Sequence, residues 1–64
     1  MYAIGDPETE AIDSEYESCE AAEVAAIEKS IDDHIWAVWA NEGSENNPSL
    51  LLVSLVFHQQ VFMS

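Results

Sequence analysis

The stretch AIDSEYESCEAAEVAAIEKSIDD, residues 11–33, decides the fold because its hydrophobic periodicity changes partway along. In its first part, Ile12, Ser14 and Tyr16 alternate with carboxylates, and such a period of two is typical of a half-buried strand. In its later part, apolar residues recur every three or four positions, which is typical of a helix. The sequence therefore predicts that a strand gives way to a helix near residue 18.

A β-hairpin is predicted to precede the helix. The predicted strands are residues 2–5 and residues 10–17. The segment that begins at Gly5-Asp6-Pro7 has strong turn chemistry and connects them. The alternative is a helix that begins near Glu15, since Ser14 and Glu17 have the spacing of a capping box. The hairpin is the preferred prediction, and the alternative stays open.

The helix itself is predicted over residues 19–32. Ser18 is a favourable N-cap, and the acids of the first turns suit the positive end of the helix dipole. Asp32 and Asp33 lie at the unfavourable end and help to stop the helix. The buried stripe is predicted to consist of Ala21, Val24, Ile27 and Ile31.

Two strands are predicted after the helix, with a short fifth strand at residues 61–63. Residues 34–40 have apolar side chains on both faces, and a polar loop at residues 41–49 separates them from the strand at residues 50–57. If the loop centres on Glu45, His34 lies opposite Val56. One face of the first strand holds Trp36 and Val38 and the other Ile35 and Trp39, while one face of the second holds Leu51, Val53, Leu55 and Phe57.

The expected architecture is one α+β domain spanning residues 1–64, with a small antiparallel sheet in ββαββ order and one helix packed on one face. The other face would keep Leu50, Leu52, Val56 and one tryptophan. A large apolar patch usually marks a contact site, and a second copy of the chain is its simplest cover. The candidate contact residues are Trp36, Trp39, Leu50 and Leu52.

The charge distribution is the clearest indication of function. The chain has thirteen carboxylates against one lysine, a net charge of −12, and eleven of those acids precede His34. Such a field repels nucleic acid and attracts a strongly basic surface, and the commonest basic surfaces in a cell hold nucleic acid. The expected partner is therefore a basic nucleic-acid-binding protein.

The acids could imitate a phosphate backbone. Alternate residues on a strand lie about 6.6–6.8 Å apart, and two nucleotide steps along one DNA strand advance about 6.8 Å. The strand acids would form one row of charges and the helix acids a second row. The simpler alternative is an acidic face that only keeps a small protein soluble. The candidate partner-binding residues are Asp13, Glu15, Glu17, Glu20, Glu23, Glu28, Asp32 and Asp33.

No catalytic, metal or cofactor site is predicted. Cys19 lies at a helix start, but the nearby carboxylates oppose thiolate formation and no base is evident. His34 and His58 could join Asp32 and Asp33 around zinc, but two histidines at strand ends are the preferred interpretation. The chain has no phosphate-binding glycine loop and no nucleophile motif, so we do not expect an enzyme.

A cytoplasmic protein is expected, without membrane contact. The single cysteine cannot form an internal disulfide, which suits a reducing compartment. The N-terminal residues do not resemble a signal peptide. The longest apolar run is far shorter than the roughly 20 residues of a membrane span.

The chain resembles small phage-encoded proteins in its length, acidity and ββαββ order. The residues that carry the resemblance are Tyr2, Ile4, the segment Asp6-Pro7-Glu8-Thr9 and the pair Val61-Phe62. In size and charge it is similar to the anti-CRISPR inhibitors, several of which are acidic DNA mimics that block target-DNA binding. The resemblance implies a viral inhibitor of a type I CRISPR effector complex in the bacterial host cytoplasm.

Overall fold

The computed structural model describes residues 1–43, 46, 47 and 49–63. Within these residues it contains one antiparallel sheet and one helix, in the strand order β2-β1-β3-β4-β5. The predicted α+β class, the antiparallel sheet and the fifth strand are confirmed. The elements are β1 (Tyr2–Asp6), β2 (Ala11–Tyr16), α1 (Cys19–Lys29), β3 (Trp36–Asn41), β4 (Leu50–Phe57) and β5 (Gln60–Met63).

The N-terminal hairpin forms, and the alternative helix start near Glu15 is wrong. β2 stays extended through Tyr16, which pairs with Tyr2 of β1. Ser18 is the N-cap, as predicted, and its Oγ accepts a hydrogen bond from the Ala21 N–H at 3.1 Å. The cap satisfies one of the free N–H groups of the first turn, which fixes where the helix begins.

The helix ends at Lys29, three residues before its predicted end at Asp32. Ser30 is fully buried, and its N–H donates to the Ile27 carbonyl oxygen at 3.3 Å. The Ser30 hydroxyl donates to the same oxygen at 3.1 Å. These bonds occupy a terminal helix carbonyl and turn the chain away from the helix axis, so Asp32 lies beyond the helix.

The buried stripe of α1 differs from the predicted one. Ala22 and Ala26 are fully buried, whereas Val24 is 50% exposed and Ile31, beyond the helix, is 70% exposed. Of the four predicted stripe residues, Ile27 alone packs against the core, where it is partly buried. The small alanine side chains allow the helix to lie close to the sheet, where they contact Ile4, Val38 and Val56.

A β-bulge interrupts the alternation of β2. Ile4 pairs with Ser14 and the next residue, Gly5, pairs with Ile12, so Asp13 has no partner on β1. An extra residue resets which face the following side chains take. Ile12 and Ser14 therefore do not share a face, as the strict alternation had predicted.

A second bulge lies between β3 and β4. Val38 pairs with Ser54, while Trp39 pairs with Leu52, which leaves Val53 as the extra residue. The prediction that Val53 and Leu55 share a face is wrong for this reason: Val53 packs on the helix side and Leu55 on the other face. The predicted register was also displaced, because Val56 lies opposite Trp36 and not opposite His34.

The sheet face away from α1 is called the open face below. Trp39, only 4% exposed, is packed there among Ala3, Ala37, Leu50 and Leu55. The predicted places of Leu50, Leu52 and one tryptophan on this face are confirmed. The tryptophan is Trp39, and Leu52 is its partner on β4. Val56 was expected here too, but it is fully buried on the helix side, where Trp36 also packs. Glu45, the expected centre of the β3–β4 loop, lies outside the described residues.

The turn between β4 and β5 has an unfavourable backbone conformation. Phe57 pairs with Gln60, so His58 and Gln59 form a two-residue turn, with φ of 50° and 59°. Hairpin turns of this kind favour Asn and Gly, because a side chain makes the left-handed region costly. The Gln59 N–H donates to the carbonyl and the hydroxyl of Ser30, at 3.0 Å each. These two bonds hold the turn against the end of α1.

Replacing Gln59 with glycine should stabilise the domain. A glycine at this position would keep both N–H bonds to Ser30 and remove the cost of a side chain at positive φ. We expect the free energy of unfolding to rise by about 0.5–1 kcal/mol, measured by urea denaturation. The matched control is Gln60→Gly in the adjacent strand, which should destabilise the domain. Equal effects at both positions would show that the turn is not strained.

Replacing Gly5 with alanine should destabilise the domain. A Cβ atom at this position would collide with the Ala11 carbonyl oxygen and approach the Ala11 carbonyl carbon to 3.0 Å. Both are backbone atoms, so the two strands of the hairpin would have to separate. We expect a loss of about 2–3 kcal/mol in thermal or urea unfolding. A Gly5→Ala protein as stable as the parent would contradict this close approach.

Candidate functional site

The exposed carboxylates belong to the N-terminal hairpin, the helix and the loops next to them. Asp6 and Glu23 are half-buried, and the other described carboxylates are exposed. We use the name acidic surface for the exposed carboxylates of β2 and α1 together with the one between them: Asp13, Glu15, Glu17, Glu20 and Glu28. Glu8 and Glu10 adjoin it in the β1–β2 turn, and Asp32, Asp33 and Glu42 lie in the later loops.

The predicted straight row of charges on β2 is not formed, because the bulge turns Asp13 away from Glu15. The Asp13 Oδ2 lies 3.7 Å from the Lys29 Nζ, on the helix side of the sheet. Glu15 pairs with Ala3, whose side chain packs on the open face. The two carboxylates therefore point to opposite sides of the sheet edge, and strand spacing alone does not reproduce a phosphate row.

Two of the three predicted helix acids face outward. Glu20 and Glu28 are exposed and line a shallow groove of about 580 Å³, together with Tyr16, Ala21 and Val24. Its lining combines carboxylates with apolar side chains. A groove of this composition can contact a side chain that has both an apolar stem and a positive end, as lysine and arginine do.

The third helix acid, Glu23, points toward the sheet. Its Oε2 accepts a hydrogen bond at 2.8 Å from the hydroxyl of Ser54, which is fully buried on β4. Glu23 is therefore held by an internal contact and is a poor candidate for the predicted partner contact. Sequence reasoning missed this pair, although Ser54 is the one polar residue within Leu50–Phe57 and such a residue needs a hydrogen-bond partner when buried.

Cys19 lies beside the same glutamate. Its Sγ is 3.9 Å from the Glu23 Oε1, to which it donates a weak hydrogen bond. Partial burial, then the negative charge of Glu23 and the hydrogen bond to it, raise the pKa of the Cys19 thiol. The group is therefore held as a protonated thiol rather than as a nucleophilic thiolate.

The two histidines lie beside separate aspartates. The His58 Nε2 lies 3.0 Å from the Asp33 Oδ1, and the His34 Nε2 lies 4.0 Å from the Asp6 Oδ2. Asp32 accepts a hydrogen bond from the His34 N–H at 3.0 Å. In the described part of the chain, no group of three or more histidine, cysteine or acidic side chains is arranged to hold a metal ion.

Lys29, the one lysine or arginine of the sequence, is already engaged. Its Nζ is near Asp13 and lies 5.8 Å from the centre of the Trp36 ring. An ion pair this exposed contributes about 0–1 kcal/mol to stability, so the contact matters mainly for charge. It leaves the acidic surface with little internal compensation.

The opposite edge of the sheet has a different chemistry. The sequence has no Asp, Glu, Lys or Arg after residue 45, so β4 and β5 carry none. We use the name apolar edge for the exposed hydrophobic side chains of these two strands: Leu51, Leu52, Val61 and Phe62. Because β2 and β5 are the two outer strands, the sheet has a charged edge and an uncharged edge.

The four predicted apolar contact residues do not form one surface. Trp36 packs on the helix side, with its ring against the core. Its Nε1–H is buried and has no hydrogen-bond partner among the described residues. Trp39 and Leu50 share the open face with Leu52, but only Leu52 among these three is exposed.

Comparison of the chain with protein-family models, with curated proteins and with solved structures finds no match in any of the three.

No helix of the described residues is long and apolar enough to cross a membrane.

Replacing Glu23 with glutamine should lower the pKa of the Cys19 thiol. The change removes a negative charge and a charged acceptor beside the sulfur but leaves its burial, so the shift should be partial. The rate of alkylation by iodoacetamide, followed against pH, should begin to rise at a lower pH than in the parent protein. The control is Glu20→Gln, next to Cys19 in sequence, which should leave the profile nearly unchanged. An unchanged profile for Glu23→Gln would show that this carboxylate does not control the thiol.

Proposed function

We propose that this protein is a phage-type anti-CRISPR inhibitor. It binds the basic DNA-binding surface of a type I CRISPR effector complex through its carboxylates and prevents target DNA from binding. It acts in the cytoplasm of the bacterial host, as a binding protein and not as an enzyme. Lysine and arginine side chains that hold phosphates are its expected contacts, and no metal or cofactor takes part.

One observation carries the proposal: the exposed carboxylates have almost no compensating cation. Lys29 is the only lysine or arginine, and it already contacts Asp13. An ordinary soluble surface mixes both signs of charge, and solubility alone does not require a ratio of thirteen acids to one base. Such a surface favours a partner with dense positive charge.

The charge density approaches that of a nucleic acid. The longest dimension of the molecule is 31 Å, and its formal net charge is −12. A duplex of that length carries about 18 phosphate charges, at one charge per 1.7 Å. The protein therefore carries about two thirds of the negative charge of a DNA duplex of the same length. The similarity lies in total charge and size, since the bulge at Asp13 excludes a regular phosphate-like row on β2.

The proposed contact is the part of the acidic surface that borders the helix groove, and it does not include Glu15, which lies on the open face. Glu20 and Glu28 border the apolar side chain of Val24 and the ring of Tyr16. Carboxylates can pair with arginine in two parallel hydrogen bonds, while the neighbouring ring and methyl groups contact the flat guanidinium. Glu17 lies next to this groove in the connection to α1.

The first test measures DNA binding by a purified type I effector complex loaded with its guide RNA. Adding this protein should abolish the mobility shift of a labelled target duplex. The inhibition should weaken steeply as the salt concentration rises. The carboxylates would pair with the same basic groups that bind DNA phosphates, and such pairing is screened by salt. Undiminished DNA binding at low salt, tested over several type I subtypes, would contradict the proposal.

Neutralising the centre of the acidic surface should weaken inhibition. The variant Glu17→Gln, Glu20→Gln, Glu28→Gln removes three exposed charges that make no internal contact needed for folding. At about 0.5–1 kcal/mol for each charge pair, the inhibitory concentration should rise about ten- to hundredfold. The matched control, Glu8→Gln, Glu10→Gln, Glu42→Gln, has the same net charge. A larger effect in the control than in the first variant would locate the contact elsewhere.

A second function is favoured by one observation, the uncovered open face. Leu52 is exposed beside Trp39, and Phe62 is exposed beside Leu55 and Phe57, with no charged residue on β4 or β5. Such a surface suits a small assembly module that joins a larger complex by apolar contact, with the acids serving solubility. This binding would tolerate salt and would be lost in Leu52→Asp, and the protein would then fail to compete with DNA in the first test above.

A further inference from the structure

We infer that the helix groove recognises a helix of the basic partner. That helix presents two arginine side chains two turns apart, with a small apolar side chain between them. The helix groove is the shallow groove of about 580 Å³ on the outer side of α1. Since it names what the same acidic contact binds, this inference rests on the proposed function. It adds a shape and an arginine requirement that net charge alone does not supply.

The charges of the groove lie toward its two ends. Glu20 and Glu28 are eight residues apart on α1, so their Cα atoms are separated by about 12 Å along the helix axis. Both are exposed, and no ion pair among the described residues occupies either carboxylate. The lining of the groove contains no lysine, arginine or histidine. The two ends therefore favour two positive groups at about that separation.

The middle of the groove is apolar and small. Val24, which is 50% exposed, lies between the two glutamates, and Ala21 and Ala25 line the groove beside it. Small side chains let another element approach closely, as Ala22 and Ala26 do on the side of α1 that packs on the sheet. A small apolar side chain of a partner would thus be removed from water at this point.

The aromatic ring of Tyr16 is held in place in the lining. The ring packs partly against the core, and the Tyr16 hydroxyl accepts a hydrogen bond from the Ser14 hydroxyl at 2.9 Å. A fixed ring in the same groove as carboxylates suits arginine, because the flat guanidinium stacks on aromatic rings and pairs with a carboxylate through two hydrogen bonds. The ammonium of lysine is a compact, strongly hydrated charge and makes neither contact as well. The groove should therefore prefer arginine to lysine.

The apolar middle favours a helix as the occupant. An extended segment would bring unpaired N–H and C=O groups against side chains of valine and alanine, which offer them no hydrogen bond. A helix satisfies its own backbone groups, and residues seven apart lie on one face at about 10.5 Å. Two long arginine side chains at that spacing reach Glu20 and Glu28, and a residue midway between them lies over Val24.

The test titrates isotope-labelled protein at low salt with a capped, alanine-rich helical peptide that has two arginines seven residues apart, and follows binding by NMR. One control peptide has lysine at both positions, and a second has arginines nine residues apart, on opposite sides of the helix. We expect the first peptide to bind at least about fivefold tighter than either control, with the largest shifts in α1. Equal affinity for all three peptides would overturn the inference, because only net charge would then be recognised. Equally tight binding of a peptide with a central proline, which breaks the helix, would overturn it too.

A variant of the groove separates its shape from its charge. Ala21→Gln fills the middle of the groove, keeps the net charge and retains a good helix former, so it should weaken binding of the arginine peptide at least about fivefold. The matched control is Leu51→Gln, an exposed position on β4, which should leave binding unchanged. Circular dichroism checks that both variants are folded. Unchanged binding in Ala21→Gln, or equal weakening in Leu51→Gln, would overturn the inference.

The peptide titration and the effector assay fail independently. A protein that inhibits an effector complex but does not discriminate among the peptides would overturn the helix inference and leave the proposed function standing. Selective binding of the arginine peptide without inhibition of any type I effector complex would contradict the proposed function. It would support the preference of the groove, with a helix of another basic protein as the partner.

Discussion

The packing of Ala22 and Ala26 against Ile4, Val38 and Val56 is the contact on which the rest of the structure depends. A chain of 64 residues buries little surface, and this one must also overcome the mutual repulsion of its acids. Alanine on the inner side of the helix brings backbone close to backbone, so a small core is well packed although it contains few large side chains. The same rotation of the helix directs Glu20 and Glu28 to solvent and exposes Val24 between them. Core packing and the acidic surface therefore have one cause.

The order of the elements could be predicted from the sequence, because each depends on local signals. The alternation around Tyr16, the Ser18 cap and the apolar run of Leu50–Phe57 all act over a few residues. The faces of the elements could not be predicted as well. Three bulges each shift the alternation by one residue, and no local sequence feature indicates them. They lie at Asp13, at Val53 and at Phe62, where Val56 pairs with Val61 and Leu55 pairs with Met63. The prediction that Ile27 packs against the core is confirmed. Val24 was wrongly predicted to be buried because of its size, whereas the close approach of the helix to the sheet favours alanine at positions 22 and 26.

The candidate site was predicted as a set of charges more successfully than as a geometry. Clustering of acids in the first half of the chain is evident in the sequence, and most of these acids are exposed. Glu23 is the exception, because its carboxylate accepts a hydrogen bond from the buried hydroxyl of Ser54, which lies 31 positions later in the sequence. A contact over that separation depends on the tertiary packing and has no sequence signal except a lone serine in an apolar strand. The segregation of charge between β2 and β5 follows from the strand order, which places the last strand farthest from the acidic hairpin.

The double hydrogen bond from the Gln59 N–H to Ser30 joins the end of the acidic helix to the turn that carries β5. Ser30 therefore supports two surfaces of unrelated chemistry at once. Loss of this residue would release the helix terminus and the last hairpin together. In a genetic screen, a substitution of Ser30 would disturb both surfaces together, so its phenotype could not be assigned to charge recognition alone or to apolar association alone. Only substitutions remote from this serine separate the two traits.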